Sequence, residues 1–455
     1  MALADPRRAQ AFRFVRCGYD DGVAEMVFAF DDGPELIERI TFPDAPTLPA
    51  GRRVAFAKAL ELMHWIAGVS YYKAGVPAQI VVESGRPDPA AARFLETLYV
   101  HGLGEFAYHN KLDLRERIRF PVAASQEVDV IAMRAATRMA DSTRTRQTLV
   151  AIGGGKDSLV STEMLKAADE PATAVWIGDS PLIAACAQRT GLPSLNIGRE
   201  LSPILFEYNR LGAWNGHIPV TAINSAILVV AAVLYGFDTI AFSNERSASS
   251  ATLEYEEQAV NHQWSKSWAF EQTFHDLLQS RIACDLDYFS LLRPFSELAV
   301  AARFAQSTRY DGVFSSCNRN FRLLGPRPAD RWCGQCPKCH FVFLALAPFM
   351  PKPRVLTIFG RNLLDDADLA NAFDALLEYG RHKPFECVGE GLESRAAMLA
   401  LSRRPEWRED AIVARFAETI APQLDPATLE LATMLRPEGP DLIPERLRPL
   451  VHAPR

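Results

Sequence analysis

The chain has 455 residues, of which 48% are hydrophobic, 10% aromatic and 23% charged, with a formal net charge of -6. That composition excludes a disordered protein, and the length allows at least two cores in two or three domains. The acidic balance argues against a general nucleic-acid binder, although a site for an anionic substrate stays open because sites are local and net charge is global.

Met1 to Phe14 lacks a basic stretch followed by an apolar core, so no signal peptide is expected there. The first stretch then alternates as strands do, over Ala11 to Val15, Glu25 to Phe30 and Ile37 to Phe42, with Asp31-Asp32-Gly33 as a hairpin-type turn. Helical periodicity follows over Arg53 to Trp65 and Pro89 to Tyr99, so residues 1–140 read as an N-terminal α+β domain. A polar, basic stretch from Met139 to Arg146 leads into a β-branched strand, Thr148 to Ile152.

From there the pattern becomes strand, Gly-rich turn, helix, strand. Thr173 to Ile177, Ser194 to Ile197 and Thr239 to Phe242 are the next strands, with helical stretches between them. This order predicts an α/β fold with a doubly wound parallel sheet over residues 145–315. The most apolar run, Ala226 to Tyr235, is too short to span a bilayer and reads as a buried helix, which with the missing signal peptide points to the cytoplasm. Residues 316–455 read as a cysteine-bearing, mostly helical C-terminal region, with Pro422 to Pro426 and Pro437 to Pro444 as breaks.

Gly153-Gly154-Gly155-Lys156-Asp157-Ser158 lies between an apolar strand and the helix from Ser158 to Lys166. Three glycines let the backbone turn sharply, so that amides and the helix dipole can face phosphate oxygens. Lys156 offers a charge, Ser158 a hydroxyl, and Asp157 a hold on magnesium. The spacing is not that of a Walker loop. It resembles the PP-loop of ATP pyrophosphatases, SGGxDS, with Gly153 in place of the first serine. That resemblance implies that ATP is split to AMP and pyrophosphate, with adenine received near Trp176 to Ser180, Asp179 and Ser180 included. A helix N-cap is the equal alternative for Asp179 and Ser180.

Cys17, Cys186, Cys284 and Cys387 are scattered, whereas Cys317, Cys333, Cys336 and Cys339 are grouped. Four thiolates suit a closed, structural tetrahedral zinc site, with an iron–sulfur cluster as the rival. His340 reads as a neighbour of that set. A PP-loop domain followed by this cluster, with Leu292 to Glu297 ahead of it, looks like 7-cyano-7-deazaguanine synthase, a family with half this length.

After the fourth strand comes Ser243-Asn244-Glu245-Arg246-Ser247-Ala248-Ser249, and then Val260-Asn261-His262-Gln263-Trp264-Ser265-Lys266-Ser267-Trp268. Polar loops at strand ends carry sites in such folds, and Asn244, Glu245, Arg246, Asn261, Gln263 and Trp264 would suit an anionic, sugar-linked substrate. The plain alternative is a solvated loop leading into a helix from Ala269 to Leu278.

Together with Lys383 to Gly389, these blocks resemble the MurL family, which epimerises the terminal glutamate of UDP-N-acetylmuramoyl-L-alanyl-L-glutamate in peptidoglycan synthesis. The resemblance implies adenylylation of the α-carboxylate, α-proton exchange and hydrolysis, with ATP, magnesium and structural zinc, and neither nucleic acid nor membrane insertion. Asp157 and Lys156 would serve the ATP step, and His262, Lys266, Glu245 and Cys387 are the candidates for proton transfer. A buried apolar filler is the equal alternative for Cys387. The competing activities are ATP-dependent amidation or nitrile formation, a tRNA thiolase, and a nucleotide-binding module without turnover.

Overall fold

A computed structural model describes residues 3–123, 146–255, 258–322 and 326–452. The basic stretch expected from Met139 lies, up to residue 145, outside the described residues.

The chain opens with β1 (Ala11–Asp20), β2 (Val23–Phe30) and β3 (Leu36–Thr41) as an antiparallel meander. Its first turn pairs Asp20 with Val23 across Asp21 and Gly22, both at positive φ (42° and 80°), the conformation an Asp-Gly pair favours between two strands. The expected turn at Asp31 to Gly33 joins β2 to β3. A short strand, β4 (Gln79–Val82), then runs parallel to β1.

The second set is β5 (Thr148–Ala151), β6 (Ala172–Ile177), β7 (Ser194–Glu200), β8 (Thr239–Phe242) and β11 (Asp287–Ser290), all mutually parallel. Between β8 and β11 lies a two-stranded hairpin of β9 (Leu253–Tyr255) and β10 (Gln258–Val260). The large sheet has the order β11-β8-β5-β6-β7-β3-β2-β1-β4. The N-terminal meander therefore extends the parallel sheet, through antiparallel pairing of β3 with β7. Gly198 permits that join, because a Cβ there would sit 3.1 Å from Thr41 Cβ. Across the same join, buried Glu38 on β3 takes a 2.8 Å ion pair from Arg199 on β7.

Alternation along each parallel strand divides the interior in two. Leu149, Val175, Ile240 and Tyr288 face a core shared with the Arg53–Ala67, Val220–Tyr235 and Trp268–Arg281 helices. Val150, Ala174, Ala241 and Phe289 face a second core with the Pro337–Leu346 and Gly391–Ser402 helices. The sheet is thus covered on both faces, as parallel sheets require. No helix among the described residues is long and apolar enough to cross a membrane.

Chain order sets where a ligand can go. From β5 the chain moves outward through β6 and β7, then crosses back to β8 on the other side of β5. Loops leaving β5 and β8 diverge at that switch point and leave a crevice beyond the strand ends.

Candidate active site

A cavity of about 290 Å³ opens in that crevice. One wall is the glycine loop, through Gly153, Gly155, Asp157 and Ser158, and another is the end of β6, from Val175 to Ile177. Asn244, Lys266, Lys338 and Cys387 complete it, with Ser315, Ser316 and Asn318 ahead of the cysteine cluster.

The loop is shaped by its glycines. Gly154 has φ +81°, where a side chain is strained, and its Cβ would lie 2.8 Å from Leu182. At Gly153 nothing stands within 4 Å of the Cβ position, so the place of the motif's serine is open. Gly155 is the N-cap of the Lys156–Ala167 helix and carries no side-chain cap, which leaves first-turn amides free to face an anion. Ser158 Oγ turns back to the loop, 3.3 Å from the Gly153 amide.

Lys156 does not line the cavity. Its side chain is fully buried under the loop, where its ammonium pairs with Asp157 and Glu297. Burial opposes that charge, but the two carboxylates raise it above the ordinary lysine range. Asp157 is partly exposed to the cavity; despite burial, Lys156 and Lys338 hold it below the usual carboxylate range. The cavity's own cations are Lys266 and Lys338. Lys338 stands inside the Cys336 to Cys339 turn, 3.5 Å from Glu297, and its lysine was legible only as a spacer between two cysteines.

Lys266 and Cys387 meet here, nitrogen to sulfur 3.3 Å apart, from positions 121 residues apart in the chain. Burial works against a thiolate, but Lys266 and a hydrogen bond with His262 pull Cys387 down to about 5. His262 in turn is pushed up to about 9: burial opposes its charge, and Cys387 and Glu105 outweigh it. Arg293, itself buried, fixes this corner. It bonds the Lys266 carbonyl at 2.7 Å, the Glu245 carbonyl at 2.9 Å and the Glu271 carboxylate at 2.6 Å.

Other residues of the two polar blocks face elsewhere. Glu245 caps the short helix after it, accepting from Ser247 Oγ at 2.6 Å and the Ala248 amide at 3.0 Å, and burial raises it to about 7. Arg246 pairs with Glu438 at 2.5 Å. Asn261 bonds the Ala248 carbonyl and the Gln263 amide, while Trp264 stacks on His101 with centroids 5.4 Å apart. Of the six proposed substrate residues, Asn244 reaches the cavity, held by a 3.0 Å bond to Ser290. Asp179 is exposed, and neither it nor Ser180 lines the cavity; Ser180 occupies the N-cap of the Pro181–Thr190 helix without a side-chain cap bond.

The four grouped cysteines converge, with ligand atoms within 4.8 Å of one another and sulfur separations of 3.5, 3.8 and 3.9 Å among them. A metal held by four thiolates at about 2.3 Å needs tetrahedral edges of roughly 3.8 Å, so the set can hold one ion. His340 bonds the Gly334 carbonyl at 3.1 Å and stands outside the group.

Two groups have no local signal in sequence. Glu105 and His217 approach His262, Glu105 bonding its Nδ1 and lying 3.7 Å from His217 Nδ1. Glu105 stands in the Gly104–Asn110 helix and His217 in the loop before the Val220–Tyr235 helix, segments with no recognisable motif that only tertiary packing brings to His262.

Fold and site define an α/β enzyme whose cleft lies at the carboxyl ends of parallel strands, built jointly by a glycine loop and a cysteine-bearing segment. The chain matches the MurL N-terminal domain over residues 3–291 and the MurL C-terminal domain over residues 313–430. It is 58% identical to the UDP-N-acetyl-alpha-D-muramoyl-L-alanyl-L-glutamate epimerase of Xanthomonas oryzae pv. oryzae, covering 100% of this chain and 99% of the relative. A Salinispora tropica protein of the same name is 40% identical over 97% of this chain and 95% of its own length. The chain therefore belongs to the MurL family and is an epimerase, an isomerase by class.

Proposed function

We propose that this enzyme inverts the terminal L-glutamate of UDP-N-acetylmuramoyl-L-alanyl-L-glutamate to D-glutamate, coupled to cleavage of ATP to AMP and pyrophosphate. The observation that carries the proposal is the Lys266–Cys387 pair, 3.3 Å apart, in the wall of the cavity that the glycine loop also lines. A proton acceptor and a phosphate cradle in one cavity suit a reaction that first activates a carboxylate and then removes the neighbouring proton.

The chemistry explains the need for ATP. Loss of the α proton beside a free carboxylate would place two negative charges on one enolate. Transfer of AMP to that carboxylate removes one charge and makes the α proton more acidic. The uncapped amides at the start of the Lys156–Ala167 helix would hold the departing pyrophosphate. Val175 to Ile177 would receive the adenine. Asp157, in the cavity wall, would hold magnesium, which when bound would neutralise phosphate charge. Cys317, Cys333, Cys336 and Cys339 would hold zinc as a structural ion, and their role is to fix the turn that carries Lys338.

Cys387 as thiolate takes the α proton: the C–H bond breaks, S–H forms, and the electron pair is delocalised into the acyl phosphate carbonyl. Lys266 serves the thiolate rather than the opposite face. Two groups flanking a carbon at reacting distance would stand about 6–7 Å apart, twice the separation seen. The proton returns to the other face from a second donor, and water then cleaves the adenylate. A nucleotide-linked precursor and ATP as cosubstrate would suit an activity in the cytoplasm.

The test is incubation with ATP, magnesium and the UDP-muramoyl-dipeptide in deuterated water. D-glutamate carrying deuterium at its α carbon, formed in step with AMP, is expected. AMP formation without α deuterium would overturn the proposal.

A further inference from the structure

We infer that Glu105 and His262 form a positioning relay behind Cys387, so that a side chain of the N-terminal region sets the state of the site's proton acceptor. The inference rests on the reading of Cys387 as that acceptor.

Glu105 stands in the first turn of the Gly104–Asn110 helix. Its Oε2 is bonded by His262 Nδ1, and the same ring acts on the Cys387 sulfur through a hydrogen bond and its charge. Lys266 contacts that sulfur at 3.3 Å. Glu105, His262, Cys387 and Lys266 therefore follow one another as carboxylate, imidazolium, thiolate and ammonium, each charge between opposite neighbours. Side chains of Glu105 and His262 are only 13% and 12% exposed, so these charges interact more strongly than a surface pair. This is the arrangement in which a base is held by a group oriented from behind by a third.

His217 decides which ring carries the charge. Its ring lies 4.4 Å from that of His262, and two imidazolium ions at that distance repel. Burial, with His262 beside it, pushes His217 down to about 4, so His217 stays neutral. Other titratable groups face the relay as well. Lys338 acts on Cys387, His109 lies 3.8 Å from Glu105, and Glu386, raised to about 7 chiefly by burial, adjoins Cys387 in the chain.

Removing the charge of Glu105 takes away one of the two partners, with Cys387 itself, that keep His262 protonated, so Cys387 keeps Lys266 while its second close cation is weakened. The readout is alkylation of Cys387 by iodoacetamide in the full-length, metal-loaded enzyme, followed from about pH 4 to pH 9 and located by peptide mass spectrometry. In Glu105→Gln the alkylation midpoint should rise by about one pH unit, which near pH 5.5 is roughly a threefold loss in rate, with little change at pH 9. His262→Gln should give a similar rise, and the double variant no further one. If Glu105→Gln does not fold, His262→Gln carries the test.

An unchanged midpoint in a folded single variant, or additive shifts in the double variant, would overturn the relay. So would a divalent ion held by Glu105, His217 and His262, seen as metal beyond one equivalent per chain that Glu105→Gln removes. The acceptor reading fails separately: Cys387→Ser would retain α-proton exchange at the parent rate, whatever the alkylation of the other variants shows.

Discussion

Arg293 offers the sharpest test of how the site is held. Its side chain is 2% exposed and that of its partner Glu271 is 1% exposed. Arg293→Ala would remove two bonds to the Glu271 carboxylate and free the carbonyls of Glu245 and Lys266. Breaking one side of a buried pair costs about 3–5 kcal/mol, because the remaining charge is left uncompensated. Glu271 keeps a 3.1 Å bond from the Ser290 amide, and water can enter the space left by the guanidinium, so the lower part of that range, about 3 kcal/mol, is expected. Urea unfolding would show this as a lower midpoint at constant slope. A double variant, Arg293→Met with Glu271→Leu, should recover much of the loss, since the stranded carboxylate is its main source. Recovery should be incomplete, because both carbonyls still lack their donor. A loss below about 1 kcal/mol in the single variant, or a double variant no more stable than the single, would refute the reasoning. The double variant should also turn over poorly, because the Lys266 backbone is no longer tied in place.

The glycine loop should respond unevenly to substitution. Gly153→Ser should fold and release AMP at the parent rate or faster, since the Cβ position is open, whereas Gly154→Ala should lose AMP release and about 1 kcal/mol or more of stability. Cys387 is lowered from its ordinary thiol range to about 5, so its contribution to stability is complete above pH 9 and is lost as pH falls through 5. The stability gap between the parent and Cys387→Ser, followed by denaturant unfolding, should shrink toward pH 5, and α-proton exchange should fall away below the same pH. Cys336→Ser should reduce bound metal, measured by elemental analysis, below one ion per chain, and lower AMP release through the displaced Lys338 turn.

Much of the catalytic half was legible because it is written locally. A β-branched strand, three glycines and a capless helix start need only neighbours in sequence, and β8 was bounded as expected at Thr239 to Phe242. β4 and β11 escaped: four residues are too few to establish alternation by themselves, and the equally short β5 and β8 were placed by the strand, turn and helix order around them. The polar block after β8 was read as a ligand surface, yet Glu245 and Asn261 spend their hydrogen bonds on nearby backbone. Side chains of this kind bond locally as readily as they bond a ligand, and composition does not distinguish the two.

By itself, then, the sequence determined the glycine loop between strand and helix, the cysteine quartet and, through resemblance, the family. Tertiary structure alone decided which charges face the cavity: Lys156, next to the glycines, is turned under the loop onto Glu297, while Lys338 and Lys266 take the open wall. It also placed Cys387 against Lys266 and His262, and brought Glu105 to His262 from another part of the chain. The physical reason is that charge state and reach depend on burial and on partners across the fold, and neither is a property of a residue's neighbours in sequence.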